Sequence, residues 1–215
     1  MTDYTIVLGN KAYSSWSLRG WLALRQTGVA FDEIVIPLDQ PDSRASILAH
    51  SPSGRVPCLL TPRGAIWDSL SIIEFLAENH ASAELWPADP WARAMARTAA
   101  AEMHAGFADL RTEMWMDLKH KRPGEGRTPA VEADIERICE IWGRCRQEFG
   151  DGGPFLFGRF GAVDAMYAPV CTRFETYGVD LDPTCAAYRD AVLSHPDMVA
   201  WTEAALAEPW VLGPH

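Results

Sequence analysis

The sequence has few of the residue patterns that mark metal, disulfide or nucleotide chemistry. Its five cysteines are odd in number and form no C-x-x-C pair, so neither a disulfide framework nor a zinc site is predicted, and buried free thiols are expected. The six histidines form no H-x-x-x-H pair, and the glycines form neither G-x-G-x-x-G nor G-K-S/T. We therefore expect no metal and no phosphate-binding loop.

Positive charge and long apolar runs are also scarce. Nineteen Lys and Arg stand against 29 Asp and Glu, and the resulting net charge of -10 argues against a nucleic-acid backbone as partner. No stretch reaches the ~18 apolar residues of a membrane span, and the N-terminus lacks the basic flank and apolar core of a signal peptide. The expected compartment is the cytoplasm, with no membrane partner.

An ordinary globular composition remains, with 48% hydrophobic and 22% charged residues in a chain of 215. Strand patterns occur only in the first part, as YTIVL, FDEIVIPL, VPCLLT and AIWDS. A helical segment ending at Gly28 separates the first two strands and predicts that they pair in parallel, while the last two predict a hairpin followed by a helix over residues 69–79.

Only helical patterns follow the Pro-containing segment after residue 80. One long helix is predicted over residues 91–121, and after a Gly/Pro-rich loop come four more, over residues 131–149, 162–178, 183–195 and 196–208. We predict a mixed α/β domain (residues 1–80), a linker (81–89) and an all-helical domain (90–215).

Three short motifs carry candidate chemistry, although each has a structural interpretation. Ser14 and Ser15 stand where the first helix begins, and the free N–H groups there favour an anion, but either serine also suits a plain N-cap. For Val56-Pro57 the local chemistry favours a trans bond, because only ~5–6% of X-Pro bonds are cis in folded proteins.

The third motif is Asp68-Ser69 before the helix over residues 69–79. Here Ser69 is a candidate N-cap, and Ser71 with Glu74 offers a competing capping box.

Taken together, the motifs resemble the glutathione transferase family, especially its serine-dependent, zeta- and theta-like members. The resemblance rests on SSWSLR, on the Val-Pro and Asp-Ser pairs, and on GRFGAVDAMYAPV in the helical half. It implies a thioredoxin-like domain followed by a helical bundle, glutathione as co-substrate, no metal, and a homodimer.

The resemblance also implies how glutathione would lie along the first domain. The cysteine moiety would pair with the backbone of Val56 ahead of a cis Pro57, the γ-glutamyl end would meet Asp68 and Ser69, and Arg55 would approach the tripeptide.

A serine hydroxyl at the start of the first helix would hold the sulfur as a thiolate, which needs ~1.4 kcal/mol for each unit by which the thiol pKa falls. Ser15 matches an S-x-x-x-R spacing that ends at Arg19, and Ser14 matches the first serine of the zeta-like motif S-S-C-S-W-R. Both therefore remain candidates.

The second substrate would bind between the first domain and the long helix. The alternative, which the helical spacing of the aromatic residues and Met favours, is core or dimer packing. Arg173 would approach substrate or pair with a carboxylate at a domain contact. The candidates for this electrophile site are Tyr13, Phe107, Arg111, Met114 and Trp115.

Several positions depart from the family pattern. Trp16 replaces a cysteine and Thr176 an arginine of zeta-like members, which puts maleylacetoacetate-type isomerisation in doubt. Gly161 stands where Ser or Thr is usual, so the capping hydroxyl is missing, while Asp164 is expected to cap the buried helix. Asp68 is shorter than the usual Glu or Gln.

The functional hypothesis is a cytosolic glutathione transferase of detoxification type, whose thiolate attacks an electrophilic carbon or a peroxide. One alternative is a glutathione-dependent isomerase or dehalogenase that uses the same thiolate. Another is a non-catalytic ligand-binding protein with this fold. A redox oxidoreductase is disfavoured because no cysteine begins the first helix.

Overall fold

The structure is a computed structural model that describes residues 2–212. Its strands are β1 (Tyr4–Leu8), β2 (Phe31–Val35), β3 (Cys58–Thr61) and β4 (Gly64–Ile66). Its α-helices are α1 (Ser15–Gln26), α2 (Ser43–Leu48), α3 (Ser69–Asn79), α4 (Pro90–Ala105), α5 (Ala108–Glu113), α6 (Pro129–Phe149), α7 (Ala162–Tyr177), α8 (Pro183–Leu193) and α9 (Pro196–Ala207).

The four strands form one mixed sheet in the order β2-β1-β3-β4. β1 and β2 are parallel, as the intervening helix predicted, and the other two pairings are antiparallel. β1 is apolar on both faces because Ile6 and Leu8 pack into the main core while Val7 packs with Cys58 on the other side. This sheet and the helices that follow it form the expected thioredoxin-like part and helical bundle.

All strands of the described residues precede residue 67, and the first helix of the bundle begins at Pro90. One apolar cluster runs through both parts, and α1 packs against α7. The domain limits at residues 80 and 90 remain a prediction, and their outer ends, residues 1 and 213–215, lie outside the described residues. Among residues 2–212, no helix combines the length and apolar character of a membrane span.

The single long helix predicted over residues 91–121 is wrong. α4 ends at Ala105, Phe107 adopts a left-handed backbone with φ 57°, and α5 ends at Glu113. Gly106 permits the turn, since a Cβ there would lie 2.8 Å from the carbonyl oxygen of Glu102. The prediction failed because the helical spacing of apolar residues continues in the sequence across Gly106, where the backbone turns.

The packing at the start of α7 explains why residue 161 is a glycine. A Cβ at this position would lie 2.8 Å from the carbonyl oxygen of Leu85, which in turn accepts a hydrogen bond from the N–H of Ala162 at 2.8 Å. The position has no room for the Ser or Thr side chain that the resemblance expects.

Gly161→Ser should therefore destabilise the protein even though it adds a capping hydroxyl. We expect a loss of about 1–3 kcal/mol in the free energy of unfolding, because backbone at Leu85 must shift. Urea denaturation measures it, with Gly143→Ser as the control, since nothing lies within 4 Å of a Cβ there. A stabilised Gly161→Ser variant would contradict this account.

Candidate active site

The start of α1 holds three serine hydroxyls in two separate hydrogen-bond arrangements. Ser14 is the N-cap, and its Oγ accepts from the N–H of Ser17 at 3.3 Å and donates to Ser17 Oγ at 2.7 Å. Ser17 Oγ also accepts from the N–H of Gly9 at 3.0 Å. The Ser14 hydroxyl therefore already donates and accepts within the turn.

Ser15 is bound differently, by an arginine from the helical part. Its Oγ accepts a hydrogen bond from Nη2 of Arg173 at 3.3 Å. The guanidinium of Arg173 also donates to the carbonyls of Met114 and Pro169, at 2.7 and 3.1 Å. Burial lowers the pKa of Arg173 to about 10, so the group remains a cation at neutral pH. Within residues 2–212 Arg173 forms no ion pair with a carboxylate, so the predicted carboxylate pairing is wrong, while its approach to a substrate stays a prediction.

A cleft of about 510 Å³ opens beside the start of α1. The peptide bond between Val56 and Pro57 is cis, so the expectation from local chemistry was wrong and the one from the resemblance is what the structure shows. The lining residues are Trp16, Ser53, Arg55, Val56, Pro57, Trp67, Asp68, Ser69, His104 and Arg111.

Asp68 joins the two parts of the molecule at this cleft. It is the N-cap of α3, where its Oδ1 accepts from the N–H groups of Leu70 and Ser71 at 3.0 and 3.4 Å. Its Oδ2 lies 3.0 Å from Nε2 of His104 on α4. Neither Ser69 nor Ser71 is the cap, which corrects both interpretations drawn from the local sequence.

Ser69 is fully buried at the start of α3, and its Oγ has no hydrogen-bond partner in the part of the chain that the structure describes. A buried hydroxyl without a partner is costly, and it lies beside the positive end of a helix dipole. A ligand carboxylate placed there would satisfy it.

Some of the predicted site residues line the cleft and the others do not. The five glutathione-binding candidates and Arg111 line the cleft, whereas Ser14 and Ser15 lie buried next to it and are not part of its lining. Tyr13 and Trp115 contact each other outside the cleft, with ring centroids 5.7 Å apart. Phe107 and Met114 are buried in the core.

Four lining residues were not predicted as site residues, namely Trp16, Ser53, Trp67 and His104. Trp16 was noted only as a departure from the family motif. His104 has no local signal, because its partner Asp68 lies 36 positions earlier in the chain.

The cysteines are all free, and four of the five are buried. Within residues 2–212, potential metal ligands meet where Cys139, Asp182 and Cys185 bring ligand atoms within 4.8 Å of one another. The Asp182 carboxylate caps α8 by accepting from two backbone N–H groups. This cluster lies away from the cleft and was not expected from cysteine spacing.

Two family models match the sequence of this chain. Residues 13–79 match the model described as the glutathione S-transferase N-terminal domain, and residues 128–204 match the one described as its C-terminal domain. The chain belongs to the glutathione S-transferase family.

Individual relatives in this family carry different names. A protein of Caenorhabditis elegans named probable maleylacetoacetate isomerase is 25% identical over 208 residues, which cover 92% of this chain and 96% of the relative. The probable glutathione S-transferase BZ2 of Zea mays is 36% identical over 160 residues, covering 71% of this chain and 65% of the relative.

Solved glutathione S-transferases have the same fold. A theta class enzyme from Xanthomonas axonopodis pv. citri, crystallised with glutathione bound, superposes with a TM-score of 0.66 at 24% identity. The match covers 97% of this chain and 99% of the other.

Proposed function

We propose that this glutathione S-transferase binds glutathione in the cleft and holds its thiol as a thiolate at the start of α1, for attack on an electrophilic carbon or a peroxide. The observation that carries the proposal is the hydrogen bond from Arg173 to Ser15. It occupies an acceptor site of the Ser15 hydroxyl and leaves the hydroxyl proton available to a sulfur anion.

The cleft offers groups of the right kind for each end of glutathione. The main chain of Val56 would pair with the cysteine moiety, since Val56 and the cis Pro57 line the cleft just ahead of β3. The γ-glutamyl ammonium suits the carboxylate of Asp68, and its carboxylate suits the unpartnered hydroxyl of Ser69. Arg55 is exposed at the same cleft and would attract a carboxylate of the tripeptide.

Between the two candidate serines, the hydrogen bonds favour Ser15. Ser14 donates its proton to Ser17 and caps α1, so it would have to give up an existing bond to reach sulfur. The guanidinium of Arg173 donates a hydrogen bond to the Ser15 oxygen, and this polarisation makes the hydroxyl of Ser15 a better donor. Glutathione supplies the nucleophilic sulfur, and the chain supplies the donor and the positive field.

The proposal is tested by titrating the thiol of glutathione bound to the wild-type protein, through the ultraviolet absorbance of the thiolate. We expect a pKa about one to two units below the free value of ~8.5, which requires ~1.4 kcal/mol per unit. Glutathione bound with an unshifted thiol pKa would instead favour the ligand-binding alternative. The blank is the same absorbance measurement on protein saturated with an S-alkyl glutathione, which occupies the site and has no free thiol.

An isomerase that uses the same thiolate is the second candidate, because the Caenorhabditis elegans relative named probable maleylacetoacetate isomerase covers almost the whole chain. At the position expected to hold the carboxylate-binding arginine, Thr176 donates its hydroxyl proton to the carbonyl of Asp117 at 3.0 Å and does not line the cleft. Isomerisation of maleylacetoacetate faster than transfer to common electrophiles would decide for this candidate.

We retain the related proposals that the protein is cytoplasmic, serves detoxification and forms a homodimer. Sedimentation at micromolar concentration tests the last of these, and a monomer would contradict it.

A further inference from the structure

Three arginines lie around Ser15 and Trp16 at the start of α1, beside the cleft. Arg19 Cζ lies 4.1 Å and Arg111 Cζ 5.4 Å from centroids of the Trp16 indole. Arg173 bonds to Ser15, the residue before Trp16. Two of them, Arg19 and Arg173, are buried almost completely, and Arg111 lines the cleft.

None of the three forms an ion pair with a carboxylate within residues 2–212. Besides Ser15, their acceptors are main-chain carbonyls, since Arg19 Nε donates to Met166 at 3.0 Å and Arg111 Nε to Phe107 at 3.3 Å. Both Nη atoms of Arg19 are buried and have no hydrogen-bond partner among the residues that the structure describes. The Asp68 carboxylate, which lines the same cleft, acts on Arg19 through its charge without forming an ion pair with it, so the three arginines leave net positive charge at this place.

This arrangement is unusual for a chain with 29 acidic residues and a net charge of -10. Burial lowers the pKa of Arg19 well below its ordinary value, and the charges of Arg173 and Arg111 lower it further. Buried guanidinium groups normally acquire a carboxylate or phosphate partner, because an unpaired buried charge is costly. An anion that enters with a ligand would supply such a partner.

We infer that the cluster selects a second substrate that carries a carboxylate close to its electrophilic centre. The inference rests on the proposed function, since it places the sulfur beside Ser15 and therefore within the field of Arg173. Arg111 is the residue that would contact the carboxylate, because it alone of the three lines the cleft. Arg19 and Arg173 would act through their charge from behind Trp16.

Two S-substituted glutathiones of equal length test the inference without turnover. S-(2-carboxyethyl)glutathione places a carboxylate near the sulfur, and S-propylglutathione places a methyl group there. By calorimetry the wild type should bind the carboxylated compound about tenfold more tightly, as one charge-assisted hydrogen bond allows. Arg111→Gln should remove this preference. Arg63→Gln is the control, because Arg63 is exposed in the β3–β4 turn and does not line the cleft.

The other outcomes separate the possible errors. Equal affinities of the wild type for the two compounds, or tighter binding of the propyl compound, would overturn the inference and leave the proposed function intact. If Arg111→Gln weakens both compounds and glutathione equally, the arginine holds a carboxylate of glutathione itself, and the inference is wrong. If none of the three compounds binds the wild type, the proposed function fails first and the inference fails with it.

A rate measurement gives an independent readout. With 1-chloro-2,4-dinitrobenzene and 4-chloro-3,5-dinitrobenzoate, the Arg111→Gln change should lower kcat/KM about tenfold more for the benzoate than for the neutral compound. An equal loss for both would contradict the inference.

Discussion

Ser15→Ala is expected to lower kcat/KM for a neutral electrophile about 10- to 100-fold at neutral pH. The variant loses one hydrogen bond to a charged sulfur, which is worth about 1.5–3 kcal/mol. The substitution also removes the Ser15 oxygen, which accepts the hydrogen bond from Nη2 of Arg173. The pKa of the bound thiol should rise toward ~8.5, so the rising limb of the pH–rate profile should move to higher pH.

Ser14→Ala is the matched control, one residue away and equally buried. It removes the N-cap of α1 and should cost about 1 kcal/mol of stability, while the thiol pKa stays low. Thermal unfolding and thiol titration of both variants separate the two effects. A raised thiol pKa in Ser14→Ala together with a normal one in Ser15→Ala would assign the sulfur contact to Ser14.

Much of the fold was predictable because local signals agreed with the final packing. The strand pattern YTIVL matches Tyr4–Leu8 residue for residue, and Gly28 takes the left-handed conformation expected after α1. Proline at the first turn of α8 and α9 follows Asp182 and His195, whose side chains cap the helices. Local propensity fails at Phe107, whose left-handed backbone depends on tertiary contacts. The short helix α2 was not predicted.

The candidate site was less predictable, since its decisive contacts join distant parts of the chain. Arg173 reaches Ser15 across 158 positions, and the sequence offers no sign of the pairing. His104 near the end of α4 meets Asp68 at the start of α3 only in the folded chain, with 3.0 Å between Nε2 and Oδ2. The motif residues Val56, Asp68 and Ser69 were predicted as binding residues through the resemblance to the family, because each local signal alone also fits a structural role. Of the four unpredicted lining residues, His104 comes from the helical part, whereas Trp16, Ser53 and Trp67 come from the first domain.

Asp164 is the residue whose loss should affect folding most. It is fully buried at the start of α7, where Oδ2 accepts from the N–H of Gly161 at 2.9 Å and Oδ1 from the N–H of Leu156 at 3.2 Å. These bonds connect the loop before α7 to the helix and provide the side-chain cap that Gly161 cannot. Burial raises the pKa of the Asp164 carboxyl to about 7, although both N–H groups oppose the shift.

Asp164→Ala should lower the free energy of unfolding by about 2–4 kcal/mol, because it leaves two buried N–H groups without acceptors. Asp164→Asn keeps one acceptor and should lose less.

The pH dependence of the stability tests whether the Asp164 carboxyl is protonated in the folded protein. Since its folded pKa lies above the unfolded value of 3.8, the folded state binds more protons between these values. The advantage of wild type over Asp164→Asn should therefore be largest below about pH 4 and decline as the pH rises through about 7. Urea denaturation of both proteins from pH 4 to 8 measures that difference, and a difference that grows with pH would mean that Asp164 is charged throughout.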